Sequence, residues 1–256
     1  MNNNRIKQKI TTSKLKKKIN NIKINNVYEF IKIVKEHYNE TKDLIDNKKT
    51  EFLKFQNETE DNIFKELCFC ILAANFSAEG SLRIQQLLDN KLITLNEEEL
   101  ANALKNLHRF PNTRARYIIE ARKLKHEIWK KIQELKKELK EIKDLESKNY
   151  EVKNTESKRI KLKEFRAWLV KNVKGLGMKE ASHFLRNIGF FDFAIIDYHI
   201  IDLLYKFNII ERPKTLTKTK YLEIETILRR ISEKVNLPLG LLDLVLWHLE
   251  TGKIIK

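Results

Sequence analysis

The chain is short of everything that interrupts or staples a fold. Its 256 residues include 2 Cys, 3 Pro and 6 Gly. Cys68 and Cys70 stand one residue apart. That excludes a disulfide framework, a four-cysteine iron–sulfur cluster and a cysteine-rich zinc site. Two small apolar side chains in a helix, in a reducing compartment, are what remain. With so few breaks, and with Leu, Ile, Lys and Glu dominant, an all-α protein is expected. No apolar run nears membrane-spanning length, and the Asn-rich start does not read as a signal peptide, so a soluble, intracellular, cytoplasmic chain is expected.

Positive charge, by contrast, is abundant. Lys and Arg number 51 against 35 Asp and Glu, a net charge of +16. Such an excess attracts polyanions, nucleic acid above all, although the lysine-rich stretch from Met1 to Lys18 supplies part of it. The 42% hydrophobic content supports a buried core, and the length suits one large domain or two closely joined lobes.

Residues 1–26 are Asn/Lys-rich without periodicity and read as a basic, partly disordered lead-in, leaving 27–256 as the helical domain. Apolar residues at helical spacing mark a helix over Val27–Phe55, an apolar stretch from Asn62, and a further piece to Leu88. Asn96 followed by three glutamates is a helix start. His108–Asn112 reads as a turn closed by Pro111, and Thr113–Leu135 as a helix. The strongly charged 135–160 stretch reads as a solvated helix extension or a mobile connector, followed by a helix from Lys161 to about Val173. Asp197 opens the next helix, Pro238 the last, and Gly252 ends it.

The sharpest local signal is Val173-Lys174-Gly175-Leu176-Gly177-Met178-Lys179. Two glycines around one apolar residue permit a tight interhelical turn, and the amides beyond it sit at a helix N-terminus that holds anions. With no nucleotide-type strand in front, the natural anion is a DNA phosphate; an ordinary αα-hairpin turn is the plain alternative. Lys179 falls in the first turn of the second helix. The positive helix end and nearby cations there favour a neutral amine, the nucleophile that attack on a sugar C1′ requires. Asp197 stands eighteen positions on. It is a good N-cap, and a carboxylate there can also take the lysine proton and stabilise positive charge on the sugar.

The stretch Leu169–Leu204, together with ELCFCILAANFSAEGSLRI, HRFPNTRARYIIEAR, DYHI and the terminal LDLVLWHLETGKIIK, resembles the helix-hairpin-helix DNA glycosylase superfamily. Within it the chain is most similar to archaeal-type 8-oxoguanine DNA glycosylase/AP lyases. The resemblance implies an all-α, two-lobed fold with an active-site cleft between the lobes and a hairpin at about 165–188. It implies base excision repair: removal of 8-oxoguanine from double-stranded DNA by a nucleoid-associated monomer, then strand scission by β-elimination. Lys179 matches the Schiff-base lysine, Asp197 the essential carboxylate, and Gly175 and Gly177 the phosphate-binding hairpin. No cofactor is required; a Na+ or K+ ion on the carbonyls of Lys171, Val173 and Leu176 is implied at the hairpin. The family's usual Pro before the first glycine is Lys174 here, which adds a phosphate contact.

Chemistry on a base requires flipping it from the duplex; the resemblance places Asn75 and Phe76 where the gap is filled, and Phe110, in the HRFPN turn, is a second wedge candidate. Core packing is the plain alternative for both phenylalanines, and its position in a turn favours Phe110 as the wedge. Arg114 and Arg116 flank that loop, to bind phosphates or to be solvated. Trp247 and Asp243 share a face of the last helix; from its apolar neighbours alone Trp247 reads as core. The resemblance assigns Trp247 and the terminal Lys256 to the oxidised-guanine pocket. Two other readings stay open: a related glycosylase for another oxidised base, whose usual iron–sulfur cluster two cysteines cannot build, and a non-enzymatic hairpin DNA-binding protein.

Overall fold

The computed structural model describes the backbone of residues 27–146 and 151–256, and the side chains of these except 141–146 and 151–156. The lead-in 1–26 and the middle of the charged connector lie outside the described residues. No strand occurs among the described residues. The chain divides into two units, one of 27–51 with 193–256, the other of 52–192.

The 52–192 unit takes the end of α1 (Val27–Lys54) and a 3-10 turn, Phe55–Asn57. It continues through α2 (Glu60–Ala73), α3 (Ala78–Leu88), α4 (Lys91–Thr94), α5 (Glu97–Leu104), α6 (Pro111–Lys123), α7 (Lys125–Glu146), α8 (Glu151–Asn172) and α9 (Met178–Asn187). α2 is the apolar stretch of the sequence and is buried nearly all round, with Leu67, Cys68, Phe69, Cys70, Ile71 and Leu72 wholly covered. A helix apolar on every side must be enclosed by others, and α3, α6, α7 and α9 pack against it. Both cysteines are buried and neither is in a disulfide, and burial drives the Cys68 thiol well above its ordinary value.

Polar side chains cap helix starts, at Asn96 as expected. Thr59, Ser77 and Asn96 cap α2, α3 and α5, the last with a reciprocal bond from Glu99. Two boundaries differ from the sequence expectation. Pro111 opens α6 rather than closing a turn, since its missing N–H costs nothing at the first helical position. The expected Thr113–Leu135 helix is broken at Leu124, which turns its N–H onto the Ala121 carbonyl three residues back, a tightening that no breaker residue announces. The described parts of the charged connector are helical and belong to α7 and α8.

Buried polar groups fix α9 in place. Asn187 donates to Glu66 on α2 at 2.6 Å and accepts from Arg186 Nε at 3.0 Å. The Arg186 guanidinium lies 5.0 Å over the Phe52 ring, and Arg166 on α8 donates to Ser182 at 3.0 Å. Removing one partner of such a set strands the other without water, costing about 3–5 kcal/mol.

The other unit holds the first part of α1 with α10 (Tyr198–Lys206), α11 (Lys218–Val235) and α12 (Leu239–Thr251). The extended run before α10 is pinned to α11. Glu225 accepts the Ala194 N–H, and the Tyr221 hydroxyl both accepts the Ile196 N–H and donates to the Ala194 carbonyl. This tether sets where α10 begins. Left-handed Asn236 and Gly252 end α11 and α12, the conformations such caps require.

Candidate functional site

The α8–α9 hairpin depends on Gly175. Its φ of +86° is open to few other residues, and an added Cβ would lie 2.6 Å from the Tyr117 ring. The turn thus closes directly against an aromatic face of α6. Gly177 caps α9, and its N–H donates to the Glu180 carboxylate at 3.2 Å. Glu180 therefore occupies one amide that the sequence reading assigns to a phosphate. The next N–H groups, of Met178 and Lys179, belong to a first turn that has no intrahelical partner for them. Lys174 is exposed and paired with Glu120 at 3.1 Å.

Lys179 occupies the second position of α9, with its side chain 25% exposed and Nζ 3.9 Å from Glu180 Oε1. The charge beside it is thus a carboxylate rather than the cations expected from the sequence. Lys171, Val173 and Leu176 bracket the end of α8. The Val173 carbonyl accepts the Leu176 N–H at 3.2 Å and keeps a second lone pair. Neutral carbonyl oxygens at the negative end of a helix fit a monovalent cation.

An open groove of about 660 Å³ joins the hairpin to the two expected wedge segments. Gly175, Leu176, Gly177 and Glu180 line it with Asn75, Phe110, Arg114 and Tyr117. Asn75 is exposed in the left-handed region, φ 56°, at the end of α2. Phe110 is 38% exposed, with the Arg109 guanidinium 4.5 Å over its ring. Phe76 does not line the groove. It is half-buried, its ring 4.3 Å from that of His108 and hard against Gly80, so packing is its evident role.

His108, not assigned a role from sequence, organises this corner. Its Nδ1 accepts the Phe110 N–H at 3.0 Å, so Nε2 carries the proton and donates to the Leu72 carbonyl at 2.9 Å. Burial lowers its pKa, which keeps this neutral tautomer. Arg114 corrects the expectation of a solvated or phosphate-binding side chain. It is 5% exposed and donates Nη2 to the Ala74 carbonyl. Its backbone N–H bonds the Phe110 carbonyl at 3.0 Å. Its Nε is buried without a partner, and burial lowers its pKa. Arg114 therefore ties the Asn75 turn to the Phe110 turn. Arg116 is exposed, 5.6 Å over the Tyr117 ring.

In the other unit, Asp197 caps α10 by accepting the Ile200 N–H at 3.0 Å, leaving its second carboxylate oxygen for other work. Trp247 is half-buried rather than core, its ring edge-on to His199 at 4.8 Å. His199 lies two residues beyond Asp197, so the candidate stacking residue stands beside the helix start that carries the candidate carboxylate. Asp243, one turn before Trp247, borders an apolar void with Ile195, Ile200 and Leu246. Lys256 is half-buried at the chain end. Tyr117, His108 and His199 are the participants the sequence reading left out; the repeated aromatic and basic residues of HRFPNTRARY were the available signal for the first two.

Residues 45–237 match the family described as 8-oxoguanine DNA glycosylase. The 8-oxoguanine DNA glycosylase/AP lyase of Methanocaldococcus jannaschii is 48% identical over 219 residues, 85% of this chain and 94% of that protein. The crystal structure of the 8-oxoguanine glycosylase/lyase from the same organism, in complex with a 15mer DNA containing 8-oxoguanine, matches with a TM-score of 0.73 and 48% identity, covering 89% of this chain and 100% of that one. The 8-oxoguanine DNA glycosylase of Thermotoga maritima gives a TM-score of 0.73 at 37% identity, covering 90% and 100%.

Proposed function

The chain belongs to the 8-oxoguanine DNA glycosylase family, and we propose that it excises 8-oxoguanine from double-stranded DNA as a monomer, with Lys179 and Asp197 carrying the chemistry. It is a glycosylase and AP lyase of base excision repair. The observation that carries the assignment of roles is the hairpin itself. Gly175 and Gly177 put Lys179 in the first turn of α9, and the same turn lines a groove with Asn75 and Phe110.

In this mechanism the hairpin amides and the exposed Lys174 and Arg116 grip the phosphate backbone, a contact that weakens with salt. Asn75 and Phe110 fill the space left by the flipped base. The base stacks on Trp247, with Lys256 and Asp243 at its polar edge. Asp197 accepts the Lys179 proton, and the freed lone pair forms a bond to C1′ as the bond from C1′ to the base breaks. The departing base takes the electron pair and a proton. Opening of the sugar gives a Schiff base, and loss of a C2′ proton then expels the 3′ phosphate. Asp197 also stabilises the positive charge that develops at C1′. A monovalent cation on the carbonyls of Lys171, Val173 and Leu176 would neutralise phosphate charge there.

The test is a cleavage assay on duplexes carrying one 8-oxoguanine or one guanine at the same position. Strand scission without added alkali on the first alone is expected. A nick only after hot alkali would leave a glycosylase without the lyase step. No cleavage, with equal binding to both duplexes, would leave a non-enzymatic DNA-binding protein.

A further inference from the structure

We infer that His37 and His248 form a positioning pair that holds the end of α12, and with it Trp247 and the C-terminal tail, in the geometry that distinguishes the oxidised base. The inference rests on the proposed reading of Trp247 and the tail as the lesion pocket.

The two imidazoles come from α1 and α12, 211 residues apart, and meet through Nε2 of His37 and Nδ1 of His248 at 2.8 Å. Their rings lie nearly parallel, 26° apart with centroids at 5.0 Å. At that distance one proton bridges the two nitrogens, so one ring donates and the other accepts. Such a bond fixes direction as well as distance, which apolar packing at the same place would not.

His248 stands at the root of the tail. Its carbonyl accepts the Gly252 N–H at 2.7 Å, where the left-handed glycine turns the chain away. The neighbouring Trp247 carbonyl accepts from the Thr251 hydroxyl at 2.7 Å, and the same hydroxyl oxygen accepts the Lys253 N–H at 3.2 Å. These bonds, which launch the tail, start from Trp247, His248 and Thr251. The α10 side adds His199 against the Trp247 ring and Lys206 at 3.7 Å from Glu250. His37 is the anchor from α1.

Few charged groups act on the pair. Glu40, on the same helix, places Oε2 3.8 Å from His37 Nδ1. Thr41 spends its hydroxyl on the His37 carbonyl at 2.8 Å. Burial, aided by His248, pushes His37 down to about 4, and burial lowers His248 as well. The pair is therefore neutral at neutral pH and resists its first added proton. Protonation of both rings would face two N–H groups at each other and break the bond.

An abasic site has no base to read, so it requires Lys179 and Asp197 but not the pocket. The test compares kcat/KM for 8-oxoguanine excision with kcat/KM for cleavage of a preformed abasic site, from pH 7.5 down to 5. Full-length wild type, His37→Leu, His37→Gln and Trp247→Ala are measured. Gln can place its side-chain amide near the position of His Nε2, whereas Leu cannot. His37→Leu is expected to lower the ratio of the two activities about tenfold or more, with His37→Gln recovering most of it. The wild-type ratio should hold down to pH 5, because a first added proton leaves the bridge between the rings intact and His37, at about 4, resists it. Equal loss of both activities in His37→Leu, or no loss, overturns the positioning role. If Trp247→Ala also leaves the ratio unchanged, the pocket reading falls with it; if it lowers the ratio while His37→Leu does not, the pair alone is wrong.

Discussion

In the 52–192 unit the candidate site is made of turns. Gly175 at φ +86°, Asn75 at φ 56° and the Phe110 cap stand at chain reversals, held by Tyr117, His108 and Arg114. In the other unit it is made of helix faces and a helix start: Asp197 as a cap, and Trp247 and Asp243 one turn apart on α12. The first arrangement suits a repeating, charged polymer, which presents the same phosphates at every step and is gripped by backbone amides. The second suits a single planar base, which needs a flat apolar face and a few directed polar groups. The residues proposed for the chemistry divide in the same way, with Lys179 on the first unit and Asp197 on the second.

The largest expected effect comes from removing the nucleophile. Lys179→Gln should lower strand cleavage at least about a thousandfold in single-turnover kinetics while duplex binding stays within a few-fold. Asp197 separates its two roles by the choice of substitution. Asn caps a helix as well as Asp does, so Asp197→Asn should change stability by no more than about 0.5 kcal/mol in thermal melts. It should nonetheless lower excision by about 100-fold or more, because the charge is gone. Equal loss of stability and activity would reduce Asp197 to a cap.

Intermediate effects test the turn. Gly175→Ala forces a Cβ against Tyr117 in a disfavoured backbone region and should cost about 1–3 kcal/mol, read by denaturant titration. It should weaken binding to undamaged DNA as much as to lesion DNA, since the hairpin reads phosphates. Phe110→Ala, half-exposed and outside the core, should leave stability nearly unchanged and weaken lesion-duplex binding about tenfold by fluorescence anisotropy.

Acid should loosen both units. The folded values of His37, His108 and His248 all lie below the ordinary 6.5, His37 at about 4. The unfolded chain then binds more protons than the folded one below pH 6.5. Stability present above that pH is lost on the way down to about 4, on the order of 2–3 kcal/mol from His37 alone. Denaturant titrations from pH 7 to 4.5 check this, and His37→Leu should flatten the curve.

The parts legible in the sequence are those where one residue type has one physical use. Gly175 and Gly252 mark positive φ; Asn96 and Asp197 mark helix starts; Cys68 and Cys70 vanish into an apolar helix. Pro111 is ambiguous in sequence, because proline closes a turn as readily as it opens a helix. The break at Leu124 carries no marker at all. Arg114 looks like surface charge in any sequence, and only the fold shows its guanidinium buried against the Ala74 carbonyl. His108, His199 and the His37–His248 pair were hidden for the same reason, since each takes its role from a partner distant in the chain or across a turn. For Trp247 the apolar neighbours of α12 pointed to core, whereas its ring is half-buried beside His199.

The most direct test of Lys179 as the nucleophile is borohydride reduction during reaction with an 8-oxoguanine duplex, followed by digestion and mass mapping of the crosslinked peptide. The expected result is one adduct, on Lys179, absent from Lys179→Gln. An adduct mapped to any other lysine, or a trapped complex that survives in Lys179→Gln, would contradict it.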